Sequence, residues 1–332
     1  MSEAPRKATI TDVARAAGVS LSTVSRVMNG NATVDPALVE RVRATAAELG
    51  YAANPLARSL VLGRTQTIAV VVPDLGNPTF QAILRGISHA AAVDGYHVLI
   101  ADSGERVEEE RVLAEETRRR TDGVILAAPR MDEAQLGPLL ETLAPVVVVN
   151  RGRQDAAPVV AADYRHALRE LAEHLHALGH RRIVFLAGVA RSASNAARLA
   201  ALEDARAAHD DLEIIEIPAG VDVDSGAEAA EAVLATGATG VLAFNDLVAM
   251  GLLTALTERG IRVPDDISIT GFDDIPFARH TSPPLTTSAV PAVEVGAQAW
   301  RALHSLLTGD EATPFASLVP QLVLRASTAP AP

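Results

Sequence analysis

Residues 9–29, TITDVARAAGVSLSTVSRVMN, hold two short helical patterns back to back. In the first, Ile10, Val13, Ala14 and Ala17 recur at i, i+3, i+4 and i+7, which makes one apolar face. Thr9 precedes it and Asp12 follows three residues later, the spacing of a capping box. Gly18 ends it, because a left-handed residue there carries no Cβ penalty. Ser20 is placed to cap a second helix, Leu21 to Asn29, which Gly30 would close. Val24, Val27 and Met28 form its buried face and leave Leu21, Ser22, Ser25, Arg26 and Asn29 outside. That outer face is short, polar and carries one arginine, a side chain able to bond bidentately to guanine in a major groove. Two helices joined by a tight glycine turn, the second exposed, form a helix-turn-helix pattern. The plain αα-hairpin is the alternative.

Moving outward, Asp35 and Pro36 open a third helix, an N-cap followed by proline in the first turn. Leu38, Val42, Ala46 and Leu49 would line its inner face and Gly50 would end it. Residues 54–64, NPLARSLVLGR, are too short to hold a helix alone in water and read as a linker. Residues 1–64 carry eight Lys/Arg against five Asp/Glu, and residues 65–332 carry 21 against 36. The chain's net charge of −12 thus hides a basic head on an acidic body, which suits phosphate contact by the head alone.

From Thr67 the pattern changes to apolar runs alternating with helical segments. The runs are 68–72, 98–101, 124–128, 146–149, 183–187, 214–217, 241–244 and 267–270. Near-continuous apolar strands separated by helices imply parallel sheets covered on both faces. So many units suggest an α/β body of two doubly wound lobes, breaking near Asp163, where a helix starts at Tyr164. The tail would add a helix, Val293–Leu307, and one last strand around Leu318–Leu324. Ligands in such folds sit beyond the carboxyl ends of strands. The polar residues there are Asp74, Asn77, Asp102, Ser103, Asn150, Arg151, Ser192, Ser194, Asn245, Asp246 and Asp273, with Arg198 starting a helix that points back.

Together these segments resemble the lactose/galactose-repressor (LacI/GalR-type) family of bacterial transcription factors over essentially the whole chain. The segments that carry the resemblance are TITDVARAAGVSLSTVSRVMNG, ELGYAANPLARSL, LGHRRIVFLAG, AFNDLVAMGLLTALTERGIRVPDDISITGFDD and SPPLTT, in that order. The resemblance implies a helix-turn-helix headpiece (1–53), a hinge (54–65) and a periplasmic-binding-protein-like body (66–332). Its N-lobe would comprise about 66–162 plus 291–318, and its C-lobe about 163–290 plus 319–329. By similarity, Leu21, Ser22 and Arg26 read bases, while Ser20, Thr23, Ser25 and Asn29 meet phosphates. Thr9 in the headpiece and Asn54, Ala57, Arg58 and Leu60 in the hinge complete the implied DNA contacts. The hinge would become helical only on DNA, where Leu60 from two subunits would wedge into the minor groove.

The resemblance also picks out Arg198, Asn245 and Asp273 as the residues that grip a small-molecule effector, with Phe80, Asn150 and Ser192 as further wall. A carboxylate accepting from adjacent hydroxyls, an arginine donating to them and an aromatic face suit a sugar or sugar derivative. Several relatives place aromatics where this chain has Val221 and Ala292. Many carry Asp at the position of Asn150 and Asn at that of Tyr164. Purine-sensing relatives carry a second arginine at the position of Ser192, so a nucleoside or purine effector is the lesser alternative. Homodimers would bind a pseudo-palindromic double-stranded operator.

Other signals narrow the class. No apolar run reaches the ~18 residues of a membrane span, and MSEAPRKATI has no apolar signal region, so a cytoplasmic protein is expected. The chain has no cysteine, which removes disulfides and thiolate chemistry. With no G-x-G-x-x-G after a strand, P-loop or G-x-S-x-G elbow, neither an enzyme nor a cofactor is expected. His174, His176 and His180 lack ligand-spaced partners and are expected on a solvated helix face, so no metal is expected. Glu108–Glu110 and Arg118–Arg120 bracket one helix and are expected at its surface. No heptad pattern follows the last strand, which favours a dimer over a tetramer.

Overall fold

A computed structural model describes residues 8–28, 34–51 and 63–332, and the chain divides into two compact units, 1–66 and 67–332. In the first unit lie α1 (Ile10–Ala17), α2 (Leu21–Met28) and α3 (Pro36–Glu48). The capping box at α1 is formed: Thr9 donates its N–H to Asp12 Oδ2 at 3.0 Å, and Asp12 N–H reaches Thr9 Oγ1 at 3.4 Å. Gly18 sits at φ 64°, in the left-handed region where L side chains are strained. Ser20 Oγ accepts from Thr23 N–H at 3.1 Å and so caps α2. Val13, Ala14, Ala17, Val24, Val27, Val42 and Ala46 form the core. Leu38 and Leu49 do not join it. The inner row of α3 is Val39, Val42 and Ala46: the middle of the expected row is kept, Val39 takes the place of Leu38, and Leu49 is exposed. Asn29, Gly30, Asn54, Ala57, Arg58 and Leu60 lie outside the described residues.

The second unit begins with β1 (Thr67–Val72), α4 (Pro78–Val93), β2 (His97–Asp102), α5 (Val107–Arg118) and β3 (Gly123–Ala127). It continues through α6 (Glu133–Leu143), β4 (Val146–Val149), β5 (Val159–Ala162), α7 (Tyr164–Ala177), β6 (Arg182–Ala187) and α8 (Ala193–Ala208). Then come β7 (Glu213–Pro218), α9 (Val223–Glu228), α10 (Ala230–Ala235), β8 (Gly240–Ala243), α11 (Asp246–Glu258) and β9 (Ser268–Thr270). The last elements are β10 (Thr287–Ala289), α12 (Ala292–Thr308), β11 (Phe315–Leu318) and β12 (Gln321–Val323).

One six-stranded parallel sheet runs β11-β5-β4-β3-β1-β2 and makes the N-lobe. A four-stranded parallel sheet, β7-β6-β8-β9, makes the C-lobe, with the antiparallel pair β10–β12 beside it. Apolar residues on both faces of the inner strands explain the double covering. In β1, Ile68, Val70 and Val72 face α4 and α12, while Ala69 and Val71 face α5 and α6. Glycines let the covering helices touch. A Cβ on Gly86 of α4 would lie 2.0 Å from Val293 O, and one on Gly296 of α12 would lie 2.1 Å from Ile83 O.

Four details differ from the sequence expectation. Strand β5 was not foreseen. The last strand is two: β11 pairs with β5 in the N-lobe and β12 with β10 in the C-lobe, so the chain changes lobe between them. Glu110 is not a surface group but buried, accepting from the N–H groups of Arg130 and Met131, and burial pushes its carboxyl above its usual range. At the other end of α5, Arg118 donates to the carbonyls of Leu143, Ala144 and Thr121.

The histidines are likewise not solvated, because the end of α7 is covered by the last residues of the chain. His180 is fully buried between Thr239 Oγ1 (2.9 Å) and Ala329 O (3.0 Å), and His174 reaches Thr328 Oγ1. His176 pairs with Asp211 at 2.9 Å and stacks on His209. No cluster able to hold a metal occurs among the described residues.

Candidate functional site

Residues past the carboxyl ends of strands in both sheets meet, where ligands sit in parallel α/β folds. Between them lies a cleft walled by Phe80, Asn150, Arg198 and Asp273 from the expected set, together with Thr79, Glu105, Arg130, Tyr164 and Phe244. Its free volume is about 30 Å³, room for a water molecule and not for a ring.

Arg198 is 1% exposed and, among the described residues, no carboxylate lies within ion-pair distance of it. Its guanidinium instead lies 3.9, 4.4 and 4.6 Å from the ring centres of Phe272, Phe244 and Tyr164. Those negative π faces stabilise a buried cation that lacks a counter-ion. Nη1 donates to Ser194 O at 3.1 Å, and Nε has no partner. Burial lowers the pKa of Arg198 to about 10, with nearby Asp273 opposing the drop.

Asp273 follows β9 in a left-handed conformation, φ 102°. Burial pushes its carboxyl up to about 6, against the pull of Arg198 and of a hydrogen bond from Thr79. That bond, Thr79 Oγ1 to Asp273 Oδ2 at 2.8 Å, runs from the first turn of α4 in the N-lobe to the C-lobe. Asn150, at φ 56°, lines the cleft and uses Oδ1 to accept from Ala162 N–H.

Other candidates are turned to structural tasks. Asn245 caps α11 by accepting from Val248 N–H and donates to Val221 O, so both ends of its amide are engaged. Ser192 caps α8, and it is Ser194 that lines the cleft. Asp246 is buried, accepting from Thr287 Oγ1 and Ile275 N–H, and burial holds its pKa well above normal. Asp74 and Asp102 fold onto turn N–H groups, and Arg151 donates to Pro129 O, Met131 O and Glu133.

Sequence reasoning missed Thr79, Glu105, Arg130 and Phe244. Arg130 was accessible to the same rule, since it stands just past the carboxyl end of β3. Phe244 was absorbed into an apolar run. In the headpiece, Leu21, Ser22 and Arg26 are exposed on one side of α2, Thr9 and Ser20 are exposed, and Thr23 and Ser25 are half-buried.

Residues 9–54 match the family described as bacterial regulatory proteins, lacI family, and residues 172–328 match the periplasmic binding protein-like domain. The HTH-type transcriptional regulator DegA of Bacillus subtilis (strain 168) is 33% identical, over 98% of this chain and 99% of its own. The chain belongs to the lacI family of bacterial regulatory proteins. Among solved structures, the lac repressor dimer bound to operator and the anti-inducer ONPF is similar with a TM-score of 0.90, at 29% identity over 98% of this chain and 100% of that one. The cellobiose complex of the transcriptional regulator CelR is similar with a TM-score of 0.69, at 29% identity over 96% and 99%. This lacI-family chain is a DNA-binding transcriptional regulator and not an enzyme, and its two sheets are periplasmic-binding-protein-like lobes.

Proposed function

We propose that the protein is a repressor that binds a pseudo-palindromic operator as a homodimer and responds to a sugar or sugar derivative held between its lobes. The observation that carries this reading is that Arg198, a buried cation whose Nε has no partner among the described residues, lines the same cleft as Asp273, which Thr79 holds. A donor and an acceptor thus share one cleft, which suits a hydroxylated ligand, and Phe80 offers an apolar face. The three rings at Arg198 are engaged by the guanidinium, which leaves them poorly placed to sandwich a nucleobase. A ring enters only when the lobes part and Thr79 releases Asp273.

Differential binding to parted and closed lobes is what couples ligand to DNA. Leu21, Ser22 and Arg26 would read base edges, with Ser20, Thr23 and Thr9 against phosphates. Exposed Leu99 and Ile100 on the edge strand β2, with Val112 on α5, support a self-associating face.

A thermal-shift screen of the intact protein against sugars, sugar phosphates and nucleosides tests the ligand class. A ligand at 100 times its dissociation constant stabilises by about 2.7 kcal/mol. At roughly 2–4 °C per kcal/mol this is easily read. The hit is then added to a complex with operator selected from random duplexes. Unchanged operator affinity at saturation would overturn the coupling. A nucleoside hit with silence from every sugar would replace the ligand class and leave the DNA reader standing.

A further inference from the structure

Outside the cleft, a cavity of about 700 Å³ lies between α5 and α6 of the N-lobe. That size falls in the ~300–1,000 Å³ range of small-molecule sites. Among the described residues the two spaces share only Arg130, which is 5% exposed and locked by two bonds to Glu105, at 2.7 and 2.8 Å, and one to Ala128 O. The chamber is therefore a site of its own. One side chain reaches it from the other lobe: Arg191, in the loop between β6 and α8.

Its charges sort by what already holds them. Of the four arginines that line it, three are paired: Arg111 with Glu115 at 2.8 Å, Arg130 with Glu105, and Arg151 with Glu133. Arg191 is exposed and makes no ion pair among the described residues. Two carboxylates are likewise unpaired there. One is Glu108 on α5; the other is Asp132, which caps α6 through one oxygen by accepting from Gln135 N–H at 2.8 Å. Met131 and Leu139 are buried in the wall, and Val107 and Pro138 extend its apolar surface.

That inventory selects among ligands. A polyanion would meet arginines already neutralised and two free carboxylates. No aromatic ring lines the chamber among the described residues, so a nucleobase would have nothing to stack on. A zwitterion with an apolar body satisfies every group: its carboxylate takes Arg191, its ammonium takes Glu108 or Asp132, and its side chains cover the apolar wall. The volume favours two or three residues over a single amino acid.

We infer that the α5–α6 chamber is a second ligand site, separate from the cleft, that takes short apolar peptides with both termini free. Capture of free termini is a recurring mode of peptide recognition. The site is independent of what the cleft binds. Because Arg191 belongs to the C-lobe and both carboxylates to the N-lobe, a bound peptide ties the lobes together and favours the arrangement in which Arg191 reaches the chamber.

The test is titration calorimetry of the full-length protein with dileucine and trileucine, against diglycine, N-acetyl-dileucine and dileucine amide. The free leucine peptides should bind at least about tenfold more tightly than each control, equivalent to ~1.4 kcal/mol. Ala134→Trp, at an exposed position in the first turn of α6, fills the chamber and should abolish binding while the melting temperature stays near that of wild type. Arg191→Ala, on an exposed loop of the other lobe, should cost dileucine about tenfold and leave the amide, which has no carboxylate to lose, unchanged. A residue acting only through the fold would weaken both alike. Silence from the leucine peptides, blocked or glycine peptides binding as tightly as they do, or binding that survives Ala134→Trp would overturn the site. None of these outcomes touches the reading of the cleft.

Discussion

Arg198 is held by ring faces, and a planar cation is what those faces fit. Lysine keeps the charge but not the plane or the fork of donors. Arg198→Lys is expected to weaken effector binding at least about a hundredfold, or ~2.8 kcal/mol, with a thermal midpoint within a few degrees of wild type; calorimetry and a melting curve check it.

Asp273 makes a pH prediction. Its folded pKa, about 6, lies above its ordinary 3.8, so between these values the folded state binds more protons than the unfolded one. Stability is therefore present below about pH 4 and is lost as pH rises through about 6. Asp273→Asn should raise stability above pH 6 by on the order of 1–3 kcal/mol, read as a higher melting temperature, while abolishing the effector response. In wild type, effector binding should strengthen as pH rises through 6 and the carboxylate forms. A flat affinity between pH 5 and 7.5 would count against Asp273 as the acceptor.

At the scale of elements, the crossing of α4 and α12 depends on two hydrogens. Gly86→Ala puts a methyl 2.0 Å from Val293 O and must push the helices apart. A loss of about 1–3 kcal/mol is expected from such overpacking. Gly137 in α6 meets nothing within 4 Å beyond its chain neighbours, but Pro138 follows it and crowds a Cβ in helical backbone, so Gly137→Ala should gain less than the ~1 kcal/mol that helix propensity alone would give. Urea denaturation of both variants separates packing from propensity.

His180, buried against Ala329 O, has its pKa lowered by burial from 6.5. The fold thus holds it neutral; the stability this gives is present above pH 6.5 and lost as pH falls toward the lowered value. His180→Asn should flatten the acid side of a melting-temperature profile, and an unchanged profile would refute the assignment.

The elements also show what the sequence made legible. Apolar runs of four or five residues located most strands because both faces of the inner strands are buried. By contrast, β5 is a short run of Val and Ala, and β11 (FASL) lies on an edge with alternating exposure, so neither stands out by hydropathy. The cleft was legible where polar residues end strands, as at Asn150 and Asp273. It was illegible where an apolar side chain, Phe244, or a helix's second residue, Thr79, completes it from another part of the fold.

For the whole molecule, the hydrogen bond from Thr79 to Asp273 joins one lobe to the other at the site and so reports lobe position. Thr79→Val keeps the shape and removes the donor. If the effector must displace Thr79, the variant should bind it about three- to tenfold more tightly, a fraction of a charged hydrogen bond's ~1.5–3 kcal/mol. Weaker binding would mean that Thr79 grips the effector itself.

The lobes share more than a cleft. The chain passes from N-lobe to C-lobe after β5, returns before α12 and leaves again between β11 and β12. Neither lobe is therefore a continuous stretch of gene. A recombination event with one junction near Asp163 would not exchange a sensor half for another. It would build an N-lobe from two parents, with α12 of one pressed on α4 of the other at the Gly86–Gly296 crossing. Productive shuffling between relatives needs three junctions placed at the three passages, so the two lobes of this family are expected to have been inherited together.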